Sequence, residues 1–294
     1  MSLQSAMTFT TSRPRLVTTL AELREAIAVA RRQDKKIGLV PTMGALHEGH
    51  LSLVRASQAE CGFTVVTISV TPSQFGPAED YRRYPRTLDA DLEALAGLGT
   101  ELVFAPGDED VYPAGYSTWI DVGGVARPLE GEHRPTHFRG VATIVLKLFQ
   151  MVGADVAYFG QKDYQQALVV RRMVEDLNVP IAIRVCPTVR EADGLAMSSR
   201  NAYLSPAERE QAVVLSSSLG LAQELVARGE RDASVIATKM RDLILSAHPA
   251  RIDYVAVVDP ETLEPVTEIR GRVLAALAVG IGRTRLIDNC LLEG

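Results

Sequence analysis

Little in this chain is set aside for cross-linking. Its 294 residues include three cysteines, Cys61, Cys186 and Cys290, an odd number placed far apart with no C-x-x-C pair. That usage argues against a disulfide framework and a cysteine zinc site, and makes a reducing, cytoplasmic setting the expected one. Long apolar runs are missing as well. No stretch of about 18 uncharged apolar residues occurs, so no membrane span is expected. The opening MSLQSAMTFTTSRPRL lacks the apolar core of a signal peptide. Basic excess is absent too. A net charge of -5 argues against a broad face for nucleic acid, while leaving room for a local basic pocket. There is no G-x-x-x-x-G-K-[S/T] loop, which argues against a P-loop nucleotide site. There is no G-x-S-x-G elbow, which argues against an α/β-hydrolase. The stretch 280-GIGRTR-285 lacks the third glycine of a dinucleotide fingerprint. No internal repeat or low-complexity tract is visible.

What remains is ordinary globular material: 47% hydrophobic and 23% charged, in a chain long enough for one large domain or two moderate ones. Leu20, Leu23, Ile27 and Ala30 recur at helical spacing behind a cap at Thr18 or Thr19. A short apolar run at 37–41 then reads as a buried strand. The same alternation continues: helix 50–60, strand 64–70, helix 88–99 ending in glycine, strand 101–105, helix 140–152, strand 155–160, helix 163–177, strand 181–186. Apolar strands alternating with helices predict an α/β fold, a parallel sheet covered on both faces. Ligands of such sheets bind beyond the carboxyl ends of the strands. The character changes near residue 188. Two long helices, 206–228 and 232–248, and short strands at 252–258, 272–279 and near 285–288 predict a smaller α+β domain. The expected division is 1–188 and 189–294.

Four polar stretches stand out. In 41-PTMGALHEGHLSLV-54, His47 and His50 are three apart around Gly49. H-E-G-H is one residue short of the zinc-protease H-E-x-x-H, and no third ligand is near. Structural histidines are a second reading. A third is phosphate binding, since a strand, a glycine-bearing turn with Gly44 and Gly49, and a helix N-terminus offer free N–H groups and a positive dipole end. In 160-GQKDYQQ-166, Lys162 and Asp163 form either a surface ion pair or a site at a strand end, with Gln165 and Gln166 opening the next helix. The loop 188-TVREADGLAMSSRNAYLS-205 carries Ser198, Ser199 and Arg200, suited either to a polyphosphate or to a plain interdomain connection. The stretch 129-LEGEHRPTHFRG-140 holds Glu130, His133, Arg134, His137 and Arg139, rich for a turn, though a solvated loop reads the same way.

Together these stretches, with PSQF (72–75), YPRTLDADL (84–92) and RTRLIDN (283–289), resemble the pantothenate synthetase (pantoate–β-alanine ligase) family, in the family's order and over nearly the whole chain. The resemblance implies a Rossmann-like, doubly wound ATP- and pantoate-binding domain with a smaller C-terminal lid domain, commonly as a homodimer. It implies joining of pantoate and β-alanine through pantoyl adenylate, in the pathway to coenzyme A, with no nucleic-acid or membrane partner. The stretch 47-HEGH-50 is similar to the H-x-G-H signature of nucleotidyl-transferring proteins, and 197-MSSRN-201 to their second, basic loop. His47, His50, Lys162, Ser198, Ser199 and Arg200 are then the expected catalytic residues. Met43, Gly49, His50, Gly160, Lys162, Asp163, Val189, Met197, Ser198, Ser199 and Arg200 are expected at ATP, which brings Mg²⁺. Pro41, Thr42, Met43, Thr71, Gln74, Arg134, His137 and Gln166 are expected at pantoate or β-alanine. The departure is Thr71, where the family has Asn. Thr keeps a hydroxyl and loses the amide's paired donor and acceptor, so reduced activity or an altered acid or amine is the expectation attached to it. A non-catalytic nucleotide-binding protein is the reading from another class, disfavoured by the retained histidines, lysine and arginine.

Overall fold

Thr19 opens the first helix with a capping box: its hydroxyl accepts the N–H of Glu22, and the Glu22 carboxylate accepts the Thr19 N–H. Such local signals set most elements of the computed structural model, which describes residues 13–75, 81, 83–247 and 250–294. Residues 1–12, where most of the segment read for a signal peptide lies, and residue 248, expected to end the second long helix, fall outside the described residues.

Six parallel strands form the larger sheet: β1 Arg15–Val17, β2 Ile37–Thr42, β3 Phe63–Ile68, β4 Leu102–Phe104, β5 Val156–Gly160 and β6 Ala182–Cys186, in the order β1-β4-β3-β2-β5-β6. From β2 the chain steps outward through β3 to β4, then returns to place β5 on the other side of β2. The β2/β5 boundary is therefore the switch point where the winding reverses, and a crevice opens beyond the strand ends there. Helices α1 Leu20–Arg32, α2 Glu48–Glu60, α3 Leu88–Ala96, the single-turn α4 Asp108–Val111 and α5 Glu130–His133, α6 His137–Val152 and α7 Tyr164–Asp176 complete this half. Ile37, Leu39, Val65, Leu102 and Phe104 pack with Val141, Ile144 and Leu148 of α6 on one side of the sheet. Val40, Val66, Val103 and Tyr158 pack with Val54, Leu92 and Leu95 of α2 and α3 in a second cluster.

The C-terminal part differs in detail from the sequence reading. The helix expected at 206–228 is two helices, α8 Pro206–Ala212 and α9 Val214–Ala227, meeting at Val213. Arg209 of α8 is bound to Glu191 and Asp193, which ties that short helix to the preceding loop; no glycine or proline marks the break. After α10 Ala233–Leu245 come three antiparallel strands, β7 Ala250–Val258, β8 Arg272–Ile281 and β9 Thr284–Glu293. They run 9 or 10 residues rather than being short. The stretch GIGRTR is the tip of the β8–β9 hairpin, with Gly282 and Arg283 as its two-residue turn. Leu215, Leu219, Ile236 and Met240 pack against Val255, Leu277 and Val279 in a separate core.

Candidate active site

The chain leaves β2 at Thr42, whose hydroxyl accepts the Gly44 N–H and donates to the Thr67 carbonyl. Gly44 and Ala45 then take positive φ angles of 77° and 49°. Asp91 of α3, 3% exposed, fixes this turn: its carboxylate accepts the N–H groups of Ala45 at 3.0 Å and Leu46 at 2.8 Å, and the Thr87 hydroxyl. The turn delivers His47 to the N-cap of α2.

There the two histidines cap the helix together. His47 Nδ1 accepts the Gly49 N–H at 3.2 Å, and His50 Nδ1 accepts the His47 N–H at 3.3 Å. An Nδ1 that accepts leaves the neutral ring's proton on Nε2. Both imidazoles therefore have Nε2–H as their remaining polar group. Burial holds them neutral, lowering His47 to about 4 with help from the Lys162 charge, and His50 to about 3 with help from His47. Gly49 is required for a packing reason: a Cβ there would lie 2.9 Å from His47 Cε1 and Nδ1.

Across the switch point, β5 ends at Gly160 and the chain makes a single 3₁₀ turn, Gln161–Asp163. Lys162 is 19% exposed and sits 3.5 Å from the Asp163 carboxylate, a long contact for an ion pair. The surface-pair reading therefore fits it poorly. Two adjacent glutamines on the next helix have different duties. Gln166 lines the cleft, whereas buried Gln165 donates to the carbonyls of Val125 and Pro128 and accepts the Glu130 N–H.

The third wall is the loop after β6. Ser198 accepts the Arg200 N–H and starts a 3₁₀ turn, and Ser199 shares a 3.1 Å hydrogen bond with Tyr84. The fourth is the turn Pro72–Gln74, packed so closely on α6 that a Cβ on Gly140 would fall within 1.7 Å of the Ser73 carbonyl. His137 at the start of α6 contacts the Gln74 carbonyl through Nδ1 at 2.9 Å; a carbonyl only accepts, so this histidine carries its proton on Nδ1.

These walls enclose one cleft of about 210 Å³, beside a crevice of about 40 Å³ that has room for water alone. Pro41, Thr42, Met43, His47, Gly49, His50, Gln74, Arg134, His137, Gly160, Lys162, Asp163, Gln166, Val189, Met197, Ser198, Ser199 and Arg200 all line the cleft. Thr71 does not. It is 0% exposed and lies behind Gln74, where its hydroxyl donates to Gln74 Oε1 at 2.9 Å and its N–H points to the same oxygen at 3.4 Å. The amide's NH₂ end is left as the Gln74 donor. Of the remaining residues of 129–140, Glu130 is buried against Arg285, with contacts of 2.7 and 2.8 Å, and Arg139 lies over the Trp119 ring. The sequence reading gave no role to Asp91 or Tyr84 and did not foresee the contact of Glu130 with Arg285.

Cations dominate the cleft. With both histidines neutral, Lys162, Arg134 and Arg200 line the cleft with one acid, Asp163, among the described residues, and Arg134 also lies 3.5 Å from the buried Glu130 carboxylate. A doubly wound sheet with such a crevice at its switch point defines an α/β protein whose cleft has a local positive field. The comparisons with known proteins name the group. The pantoate-beta-alanine ligase family model matches residues 15–291, and the chain belongs to that family. It is 55% identical over 278 residues to pantothenate synthetase of Moorella thermoacetica, covering 95% of this chain and 98% of that one. It is 53% identical to the Acetivibrio thermocellus enzyme, covering 95% and 99%. The crystal structure of pantothenate synthetase from Thermus thermophilus superimposes with a TM-score of 0.90 at 45% identity, over 94% of this chain and 98% of that one. The pantoate-beta-alanine ligase of Francisella tularensis, complexed with beta-gamma ATP and beta-alanine, gives 0.76 at 32% identity, over 95% and 97%.

Proposed function

We propose that this chain joins pantoate to β-alanine with ATP, giving pantothenate, AMP and pyrophosphate through pantoyl adenylate. The observation that carries this reading is the pairing of neutral His47 and His50 with Lys162 on the two strand ends of one switch-point cleft. Family membership and relatives named pantothenate synthetase at 50–55% identity support it.

The chemistry follows from charge. A pantoate carboxylate oxygen attacks the α-phosphorus of ATP, the bond to the β-phosphate oxygen breaks, and pyrophosphate leaves. Both reactants are anions, so the barrier falls when fixed donors and cations are already in place. His47 and His50 offer Nε2–H groups to phosphate oxygens without adding titratable charge. Lys162, with its loose partner, faces the charge that builds on the transferring group, and Ser198, Ser199 and Arg200 meet the polyphosphate from the opposite wall. Gly160, Asp163, Val189 and Met197 complete the nucleotide side, and Pro41, Thr42, Met43, Gln74, Arg134, His137 and Gln166 the acid and amine side. In the second step the β-alanine amine attacks the acyl carbon, loses a proton, and AMP departs.

Mg²⁺ belongs to the same reading. Among the described residues no three His, Cys, Asp or Glu side chains gather to hold a metal ion. Asp163, the lining carboxylate among the described residues, would hold a water of an ion carried in on the triphosphate. When bound, the ion neutralises charge on the phosphate oxygens.

We also take residues 1–188 as the ATP- and pantoate-binding domain and 189–294 as its lid, in a cytoplasmic homodimer. One set of β7, β8 and β9 residues packs with α9 and α10 in its own core, which supports the division, while Val258, Leu274 and Ala276 join the larger core. An altered acid or amine draws no support from Thr71, which stays behind Gln74. Incubation with ATP–Mg²⁺ and pantoate, with and without β-alanine, tests the reading. Pyrophosphate release that requires pantoate, and AMP release that requires both acids, is expected; release driven by a different acid, or none, would overturn it.

A further inference from the structure

The turn that presents Lys162 is held from outside its own sheet. Asn289 lies on β9, paired in register with Ala276 of β8, and is 4% exposed. Its side-chain NH₂ donates to the carbonyl of Gln161 at 3.0 Å and to that of Lys162 at 2.9 Å. These are the first two residues of the 3₁₀ turn, whose last is Asp163. Two donors on adjacent carbonyls fix both the height and the tilt of the peptide that carries the lysine. The arrangement has a cost, because Asn289 Oδ1 is buried with no hydrogen-bond partner. A buried acceptor left unpaired costs roughly 1–3 kcal/mol, and an apolar residue at this strand position would avoid it. The orphan is explained if the donor end has work that outweighs it.

The residue before it acts on the facing wall. Asp288, its side chain 1% exposed, holds Arg190 in a bidentate pair at 2.6 and 3.0 Å, and Arg190 also donates to the Gly194 carbonyl. Arg190 and Ala196 form the bridge that closes the hairpin immediately before Met197. Two consecutive residues of β9 thus reach the turn carrying Lys162 and the loop carrying Ser198, Ser199 and Arg200.

We propose that Asn289 is a positioning residue for adenylate formation: it sets the Lys162 turn from the C-terminal sheet, while Asp288 sets the serine–arginine loop through Arg190. The proposal rests on the reading of Lys162 given above. It places part of the catalytic geometry in the C-terminal sheet, outside the sheet that carries the lysine.

Asn289→Ala removes both donors, and Asn289→Asp turns them into acceptors facing two carbonyls. The rate to measure is single-turnover pyrophosphate release with saturating ATP–Mg²⁺ and pantoate, expressed per nucleotide site counted by calorimetric titration, so that unfolded protein does not enter the figure. A misplaced group of this kind lowers the rate by on the order of tenfold or more, with the ATP Kd held within about threefold. In a Lys162→Ala background the same Asn289→Ala change should alter the rate by less than about twofold, because residues acting through one another are not additive. Amide hydrogen exchange should rise at residues 161–163 in Asn289→Ala and stay unchanged at 156–159. A rate within about twofold of wild type, an equal loss in both backgrounds, or unchanged exchange at 161–163 would overturn the proposal. If wild type itself released no pyrophosphate with pantoate, the assigned reaction would fail, and the exchange measurement would still decide whether Asn289 holds the turn.

Discussion

His50 Nδ1 accepts the backbone N–H of His47 at 3.3 Å, so each ring of the H-E-G-H turn is locked as a neutral Nε2–H donor. The folded rings titrate at about 4 and about 3 against an ordinary 6.5. Between those values an unfolded chain takes up protons that the folded one refuses. Stability is therefore full above 6.5 and declines as the pH falls below it. The donors themselves persist. A pH–rate profile for adenylation should show no inflection near 6.5 from His47 or His50, and their ring ¹⁵N shifts should report an unprotonated Nδ1 at pH 5. A midpoint near 6.5 at either ring would contradict the assignment.

Gly49→Ala tests the cap itself. The added methyl would lie 2.9 Å from the His47 ring, so the ring or the turn must move. The lost cap should lower stability by about 1 kcal/mol, read from the denaturant midpoint. Adenylation should fall by on the order of a hundredfold, because the displaced Nε2–H no longer meets the phosphate. A variant with wild-type turnover would mean that the His47 position does not matter.

Thr71 acts through Gln74. Thr71→Val removes the hydroxyl that holds Gln74 Oε1 and leaves only the long 3.4 Å contact from the Thr71 backbone N–H to orient the amide. KM for pantoate should rise by about tenfold, a loss of roughly 1.4 kcal/mol, with a smaller change in kcat. Thr71→Asn should bring no gain in kcat/KM, since the native hydroxyl already serves the glutamine. A clear gain would show that the family's amide does something here that Thr71 cannot.

Lys162→Ala removes the cation that acts on both histidines in the cleft. Its kcat should drop by about a hundredfold or more with the melting temperature little changed. Steady-state rates beside a thermal scan check this, and near-normal kcat would remove the charge role.

Much of this was legible because the winding of the sheet leaves a direct trace. Apolar runs at 37–41 and 155–160 that stop at polar, glycine-bearing turns mark β2 and β5, and the chemistry lies just beyond them. Other parts left a weaker trace. Strand β1 is three residues long with two exposed, too short for any period to show. The short strand read near 285–288 is part of β9, but nothing in the sequence pairs Arg285, Asp288 and Asn289 with Glu130, Arg190 and the Lys162 turn. Asp91 gave one signal that pattern reading passed over: it falls beside Leu92 and Leu95 on the buried face of α3, where a carboxylate needs specific donors. The role of Thr71 rests on a contact with Gln74, which sequence spacing alone does not orient.

The central claim is that a carboxylate oxygen of pantoate attacks the α-phosphorus of ATP. Pantoate labelled with ¹⁸O in its carboxylate, turned over with ATP–Mg²⁺ and β-alanine, tests it by mass spectrometry of the products. One labelled oxygen should appear in AMP and none in pyrophosphate. Unlabelled AMP, or label in a phosphate released with ADP, would contradict the account.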